Sequence, residues 1–202
     1  MKTLQKHIRI DLLRHGETVA GSCFLGSTDA GLNDAGWQQM HSAIKDKKYQ
    51  RIISSPLKRC AEFSQQFSQR NNIPLVVETG LCEMHFGDWE VKSVETIWKE
   101  QQDLLSAFWE DPLKNAPPNG EKLIDFQSRV NAAFNKIRNE YNEERILVVA
   151  HGGVIRQILA TILSVPFKNI QQINIDYAGL SRLDCYAENV SLAFINQRIE
   201  KN

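Results

Sequence analysis

The chain has 202 residues, of which 42% are hydrophobic, and it carries 24 Lys and Arg against 24 Asp and Glu. This length suits a single well-cored domain over 1–202 and is short for two domains. The zero formal net charge argues against a nucleic-acid or anionic-membrane partner, because proteins that bind those surfaces usually carry a basic excess.

The cysteines and the first residues indicate the compartment. Four cysteines are scattered along the chain without a C-x-x-C pair, which predicts reduced thiols in a cytoplasmic protein rather than a disulfide framework or a zinc ribbon. Residues 1–10 lack the apolar core of a secretory signal, and no apolar stretch approaches membrane-spanning length.

Strands and helices alternate along the chain. Apolar runs predict strands at His7–Leu13, Arg51–Ser54, Ile73–Glu78 and Arg145–Ala150, and two or three more between Gln171 and Arg198. Helical spacing predicts helices that begin near Asn33, at Ser55–Pro56 (as N-cap and first helical residue), near Ile124 and after His151. The alternation predicts an α/β fold with three α/β/α layers and a mostly parallel central sheet.

One third of the chain is less regular than the rest. Leu81 to about Pro118 holds three of the four tryptophans and ends in a breaker run of Asn, Pro and Gly. We expect an irregular, lid-like excursion over about 81–118, because a long excursion often covers a small substrate.

Unusual residues follow three of the predicted strands. The strand ends are Arg14-His15-Gly16, Ser54-Ser55-Pro56 leading to Arg59, and His151-Gly152-Gly153. Ligands in such folds bind at the carboxyl ends of the strands, so we expect Arg14, His15, Arg59 and His151 to share one pocket. Two guanidiniums and the amides of a helix N-terminus favour an oxyanion, and phosphate suits them best.

His15 is the predicted nucleophile. Two neighbouring arginines should lower its pKa and keep a lone pair free to attack phosphorus. Glu83, beside apolar Met84 and Phe86, is the predicted general acid for the leaving oxygen. Its competitors are Glu78, Asp88 and Glu90, and the alternative for His15 is a histidine that caps a turn.

No metal or cofactor is expected. The five histidines lack i, i+4 pairing and no Asp/Glu cluster stands beside them. The sequence also lacks a Walker loop and a G-x-S-x-G elbow.

These motifs together resemble the histidine phosphatase superfamily, also called phosphoglycerate mutase-like. The matches stand in family order over positions 10 to 156: Leu13-Arg14-His15-Gly16-Glu17-Thr18, Gly26-x-x-Asp29, Ser54-Ser55-Pro56-Leu57-x-Arg59, Glu83-x-x-Phe86-Gly87-x-Trp89-Glu90, Gly120-Glu121 and Val149-Ala150-His151-Gly152-Gly153.

The resemblance implies His15 as the phosphorylated residue, Arg14, Arg59 and His151 as the phosphoryl clamp, and Glu83 as the proton donor. Further candidates for substrate binding are Thr18, Phe24, Gly26 and Gly152. Phe24, Trp89 and Trp109 are interpreted first as core residues, because aromatic residues near a pocket are more often core, with stacking on a flat leaving group as the alternative. Gly21 stands where many family members have Asn, in the loop that normally helps to bind the substrate.

Within the superfamily, the compact length and the 83–90 segment look most like the α-ribazole-phosphate phosphatases of cobalamin assembly. The alternatives are a broad-specificity or fructose-2,6-bisphosphatase-like sugar phosphatase, a protein phosphohistidine phosphatase, and a regulator that binds a phosphorylated ligand without turnover. The expected partner is a small phosphomonoester. The oligomeric state stays open, with a homodimer as one alternative.

Overall fold

The computed structural model describes residues 7–141, 145–187 and 189–198. Within these ranges the chain forms six strands, five α-helices and three short 3-10 helices. The strands are β1 (His7–Arg14), β2 (Arg51–Ser54), β3 (Leu75–Val77), β4 (Arg145–Ala150), β5 (Leu180–Tyr186) and β6 (Val190–Gln197). The α-helices are α1 (Asp34–Ala43), α2 (Lys58–Asn71), α3 (Val94–Glu110), α4 (Leu123–Glu140) and α5 (Gly152–Leu163).

All six strands form one sheet in the order β3-β2-β4-β1-β5-β6. The first four in that order run parallel, whereas β5 and β6 are antiparallel additions at one edge. Alternate residues of β4 enter two different hydrophobic clusters, with Val148 among α4 and α5 on one face and Val149 among α1 and α2 on the other. The predicted three-layer fold with a mostly parallel sheet is confirmed.

The sheet order decides where the chemistry lies. β2, β4 and β1 are adjacent and parallel, so their carboxyl ends meet at one edge of the sheet. In register, Arg14 lies opposite Ala150, and Ser54 lies opposite Val149. The residues that follow these three strands therefore share one location, as the sequence predicted.

The predicted N-cap of α2 is wrong. Ser55 and Pro56 precede the helix, which begins at Lys58 after Leu57 in the N-cap position. The Ser55 hydroxyl accepts a weak 3.4 Å hydrogen bond from the Leu57 amide and lies 2.8 Å from His151 Nε2. Ser55 thus joins the site rather than capping the helix.

The segment predicted as irregular contains a complete helix. Ser93 caps α3 by accepting from the Thr96 amide, and the helix runs for 17 residues with a kink at Gln101. At the kink, the indole of fully buried Trp89 donates to Gln101 Oε1 at 2.7 Å. The buried positions Ile97, Leu105 and Phe108 follow a helical period across the kink. The helix could therefore have been recognised from the sequence.

The predicted C-terminal strands are the hairpin of β5 and β6. A turn at Ala178, where φ is +52°, precedes β5. The second predicted turn falls partly on Glu188, which lies outside the described residues. No helix in the described ranges is long and apolar enough to cross a membrane.

Candidate active site

A cavity of about 360 Å³ opens at the carboxyl edge of the parallel strands. Its polar wall includes Arg14, His15, Glu83, Gly152 and Gly153. The opposite wall is apolar and aromatic, and it comes from the first loop and from the segments around α3 and α4: Phe24, Leu25, Met84, Phe86, Val94, Phe108, Trp109, Pro112, Leu123 and Phe126. The cavity therefore has one charged end and one apolar side.

His15 lies at the charged end and is 5% exposed. Its Nδ1 is 2.8 Å from the Gly16 carbonyl oxygen. Because a carbonyl can only accept, Nδ1 carries the proton and Nε2 carries the lone pair. Burial lowers the pKa of His15 well below its usual value, and the charges of Arg14 and Arg59 lower it further. The predicted direction is confirmed, but burial contributes more than the arginines do.

Gly16 is needed for packing as well as for the turn. A Cβ at this position would lie 2.3 Å from the backbone oxygen of Gly36, so the chain after His15 packs directly against the start of α1. This close approach leaves no room for any larger side chain.

Arg14 holds an unused donor beside His15. Its Nη1 donates to the Ile175 carbonyl at 2.6 Å, and its guanidinium lies 4.2 Å from the ring centroid of Tyr177. The Nε atom is buried and has no hydrogen-bond partner among the described residues. A buried, unpaired guanidinium donor costs free energy unless a ligand completes it.

Arg59 and His151 lie behind the cavity rather than in its wall, and both are fully buried. Arg59 donates from Nη1 to the Thr28 carbonyl, from Nη2 to the Leu25 and Gly26 carbonyls, and from Nε to His151 Nδ1 at 3.1 Å. One of its five N–H groups, on Nη1, is left over.

The bond from Arg59 fixes the tautomer of His151. Since an arginine can only donate, His151 Nδ1 accepts and Nε2 carries the proton toward Ser55 Oγ. Burial lowers the pKa of His151 well below its usual value, with further lowering by Arg59, His15 and Arg14. The two histidine rings meet edge to face with centroids 5.3 Å apart. The four residues predicted to converge do come together, but only Arg14 and His15 border the cavity.

Glu83 borders the cavity, and its carboxylate lies against the first turn of α5. One carboxylate oxygen accepts from the Gly153 amide at 2.9 Å and the other from the Met84 amide at 3.0 Å. A Cβ on Gly153 would lie 2.4 Å from Glu83 Oε1, which explains why glycine occupies that position. The helix N-terminus thus holds a carboxylate where the sequence predicted an anion.

Not every predicted contact reaches the cavity. Phe24, Gly152 and Trp109 line it, whereas Thr18 and Gly26 do not. Thr18 is buried, and Gly26 instead offers its carbonyl to Arg59. Trp89 is a fully buried core residue, which agrees with the core interpretation favoured for these aromatic residues and excludes Trp89 from stacking on a ligand.

Three residues outside the sequence motifs also line the cavity: Arg156, Gln171 and Tyr177. Arg156 lies one helical turn after Gly152, so the 3.6-residue period could have placed it beside the site. Tyr177 is brought in by the turn before β5, and nothing in the sequence near it points to the site.

A single carboxylate fixes the loop that holds Arg59. Glu90 accepts from the backbone amides of Gly26, Ser27, Thr28 and Phe86. Burial alone would raise the pKa of Glu90, but these hydrogen bonds outweigh it and lower the pKa from 4.5 to about 2. The Gly26 and Thr28 carbonyls, which bind Arg59, are therefore positioned through Glu90.

We expect Glu90→Gln to lower the free energy of unfolding by about 2–3 kcal/mol at pH 7, because the amide NH₂ faces donors that need an acceptor. The folded pKa is depressed, so the stability from this carboxylate is full above pH 4.5 and is lost as pH falls toward 2. Urea unfolding from pH 7 to pH 3 should show the gap between wild type and variant narrowing.

The matched control is Glu62→Gln, a change of the same kind at an exposed position on α2. It should cost less than about 0.5 kcal/mol at any pH. A gap for Glu90→Gln that stays constant between pH 7 and pH 3 would contradict the assignment.

In the part of the chain that the structure describes, no group of three or more His, Cys, Asp or Glu side chains could hold a metal ion.

Known proteins resemble the chain along nearly its whole length. The adenosylcobalamin/α-ribazole phosphatase of Salmonella typhimurium is 25% identical over 198 residues, which cover 95% of this chain and 97% of that protein. The crystal structure of the α-ribazole phosphatase from Shigella flexneri matches with a TM-score of 0.82 at 27% identity, covering 96% of this chain and 100% of that one. A mycobacterial glucosyl-3-phosphoglycerate phosphatase matches with a TM-score of 0.80 at 27% identity, covering 93% and 98%.

The relatives thus include phosphatases named for different substrates at nearly the same identity. The sequence model of one family, the histidine phosphatase superfamily (branch 1), matches residues 10–198. The chain therefore belongs to branch 1 of the histidine phosphatase superfamily and is a phosphoric monoester hydrolase.

Proposed function

We propose that the chain hydrolyses α-ribazole 5′-phosphate through a phosphohistidine on His15, in assembly of the nucleotide loop of cobalamin. The observation that carries this proposal is the cavity itself. One end offers a neutral imidazole and an unpaired guanidinium donor, and one side offers aromatic rings to a flat, apolar leaving group.

In the first step, His15 Nε2 attacks phosphorus as the bond to the ester oxygen breaks. Arg14 Nε donates to a phosphoryl oxygen, and the charge of Arg59 behind the cavity helps to offset the about −1.5 to −2 charge of the phosphoryl group. Glu83, in its protonated form, gives its proton to the departing oxygen. Because the donors are already buried and oriented, little reorganisation opposes charge development.

In the second step, water attacks phosphorus and the N–P bond breaks. Glu83, now a carboxylate, takes the proton from that water, so the acid is restored as phosphate forms. His15 returns to its neutral state with the proton still on Nδ1. His151 orients Arg59 through the 3.1 Å bond and lies against the His15 ring.

The size and chemistry of the cavity favour α-ribazole among the candidates. About 360 Å³ lies in the range of small-molecule sites and exceeds the needs of a three-carbon phosphate. Phe24, Phe108 and Trp109 offer aromatic rings against which a benzimidazole can pack.

A sugar phosphatase of broad or fructose-2,6-bisphosphatase-like specificity is the second candidate. It is favoured by Arg156, which borders the cavity and could bind a second anionic group. The apolar wall, which a bisphosphate would leave unused, argues for α-ribazole.

The test is a panel of phosphomonoesters assayed in the presence of EDTA. We expect kcat/KM for α-ribazole 5′-phosphate to exceed those for fructose 2,6-bisphosphate and 3-phosphoglycerate by at least about tenfold, because only the first fills the aromatic side of the cavity. Equal low rates on all three would indicate a broad-specificity enzyme instead.

Two further outcomes would overturn the mechanism. Loss of p-nitrophenyl phosphate turnover with EDTA, restored by a divalent cation, would contradict metal-independent chemistry. Tight binding of phosphorylated ligands without any turnover would indicate a regulatory protein.

A further inference from the structure

Arg156 is a third cation beside the phosphate end of the cavity, and the mechanism above does not use it. Its Nε donates to the Ile173 carbonyl at 2.9 Å. Its Nη1 and Nη2 have no hydrogen-bond partner among the described residues, and the side chain borders the cavity. Up to four N–H groups are therefore free to meet a ligand.

Arg156 and Arg14 flank the same point on the first turn of α5. A Cβ placed on Gly152 would lie 3.3 Å from Arg14 Nε and 3.5 Å from Arg156 Nη1. Glycine thus allows two guanidiniums to approach the helix start together. Their proximity is costly without an anion or acceptor nearby, because like charges repel.

One short segment holds both arginines in place. Arg14 is bound by the Ile175 carbonyl and Arg156 by the Ile173 carbonyl. The segment is secured to β6, since Asn196 accepts from the Asp176 amide at 2.8 Å and donates to its carboxylate at 3.0 Å. The spacing of the two guanidiniums is therefore fixed before any ligand binds.

The two cations have different neighbours, which separates their roles. Arg14 lies next to His15 and borders the cavity, where in the proposed reaction it donates to the phosphoryl group. Arg156 Nη1 lies beside Gly152. The amide of the next residue, Gly153, donates a hydrogen bond to the Glu83 carboxylate. Because Glu83 protonates the ester oxygen in the proposed reaction, we expect the atoms attached to that oxygen to lie on the side of the cavity that Arg156 borders.

We infer that Arg156 is a specificity residue that donates hydrogen bonds to hydroxyl oxygens of the leaving group, as found on a sugar 5-phosphate. This inference rests on the proposed function. The substrate class that it defines is amphipathic: sugar hydroxyls face Arg156, and an apolar ring system faces the aromatic wall. A carboxylate could use the same donors, but the small phosphorylated acids that carry one would leave that wall empty.

The experiment compares substrates with and without hydroxyls. For Arg156→Ala, we expect kcat/KM on α-ribazole 5′-phosphate to fall about 10- to 100-fold, mainly through KM. On p-nitrophenyl phosphate, which has the phosphoryl group but no hydroxyls, the change should stay within about threefold. Arg156→Lys, which keeps the charge but not the fork of donors, should recover part of the loss.

Arg70→Ala on α2 is the matched control, because Arg70 is exposed. It should change neither rate, and circular dichroism should show all variants folded. Should Arg156→Ala not fold, the same comparison is made with Arg156→Lys, for which we expect a smaller loss confined to α-ribazole 5′-phosphate.

Three results would overturn the inference. Equal losses on both substrates would place Arg156 on the phosphoryl group, and no loss on either would leave it without a ligand. A larger loss on O-phosphoserine than on α-ribazole 5′-phosphate would assign Arg156 to a carboxylate.

The role of Arg156 can be tested even if α-ribazole 5′-phosphate proves not to be the substrate. If the wild type shows no preference for α-ribazole 5′-phosphate, ribose 5-phosphate replaces it as the hydroxyl-bearing substrate. A selective loss on ribose 5-phosphate in Arg156→Ala then supports the role of Arg156, and an equal loss on p-nitrophenyl phosphate refutes it.

Discussion

His15→Ala should reduce kcat/KM for every phosphomonoester by at least about 10⁴-fold, because it removes the atom that forms the bond to phosphorus. No other described side chain bordering the cavity offers an imidazole. His151 cannot substitute, since it is fully buried and both of its ring nitrogens are engaged.

The intermediate provides a direct measurement. Wild type mixed with labelled substrate and quenched in alkali should carry acid-labile phosphate, because an N–P bond survives alkali and breaks in acid. His15→Ala should carry none. His7→Ala, at the opposite end of β1, is the control and should keep both turnover and labelling. Labelling that persists in His15→Ala would assign the nucleophile elsewhere.

Glu83→Gln is expected to slow phosphorylation of His15 only when the leaving oxygen needs a proton. It should slow hydrolysis of the phosphohistidine with every substrate. With α-ribazole 5′-phosphate, whose leaving oxygen needs a proton, kcat should fall about 10²- to 10⁴-fold. With p-nitrophenyl phosphate, the phenolate leaves without a proton, so phosphorylation of His15 should stay rapid. Attack by water still lacks its base, and hydrolysis of the intermediate should become limiting.

The expected signature is a burst of p-nitrophenol equal to the amount of enzyme, followed by a slow steady rate. Asp88→Asn is the control, because Asp88 is a nearby carboxylate that accepts from Asn119 and does not border the cavity. It should show no burst and normal rates. A uniform loss on both substrates without a burst would mean that Glu83 only positions Gly153.

The strand ends could be predicted because local signals were sufficient. The run Arg145–Ala150 is apolar throughout, which is typical of a strand buried on both faces. The rule that parallel strands present their carboxyl ends together then located Arg14, His15 and His151 at one edge. Each step used residues close together in sequence.

Other features depend on contacts that no local pattern encodes. The helix α2 begins at Lys58 and not at the predicted Ser55–Pro56. The Ser55 hydroxyl lies instead against His151, which is 96 residues away. Arg59 lies behind the cavity because carbonyls of the first loop bind its guanidinium, and Glu90 fixes those carbonyls. Residue type alone could not decide whether Arg59 lines the cavity or lies behind it.

The aromatic residues show the same limit. Trp89 and Trp109 were equal candidates in sequence, yet one is core and the other lines the cavity. The difference comes from the kinked α3, whose second half presents Phe108 and Trp109 to the cavity. The hydrogen bond from the Trp89 indole to Gln101 Oε1, which lies at the kink, joins residues twelve apart and has no periodic signal in the sequence.

The division of the cavity into a charged end and an apolar side makes the enzyme modular. The charged end is built from the termini of β1, β4 and α5, whereas much of the apolar side comes from the stretch between Val94 and Phe126. Substitutions confined to cavity-lining residues of that stretch outside the core, such as Trp109 and Pro112, are expected to change the preferred leaving alcohol, because they leave the residues of the charged end in place. Replacing the whole stretch would also remove core residues and Glu121, which binds Arg129 beside Glu83.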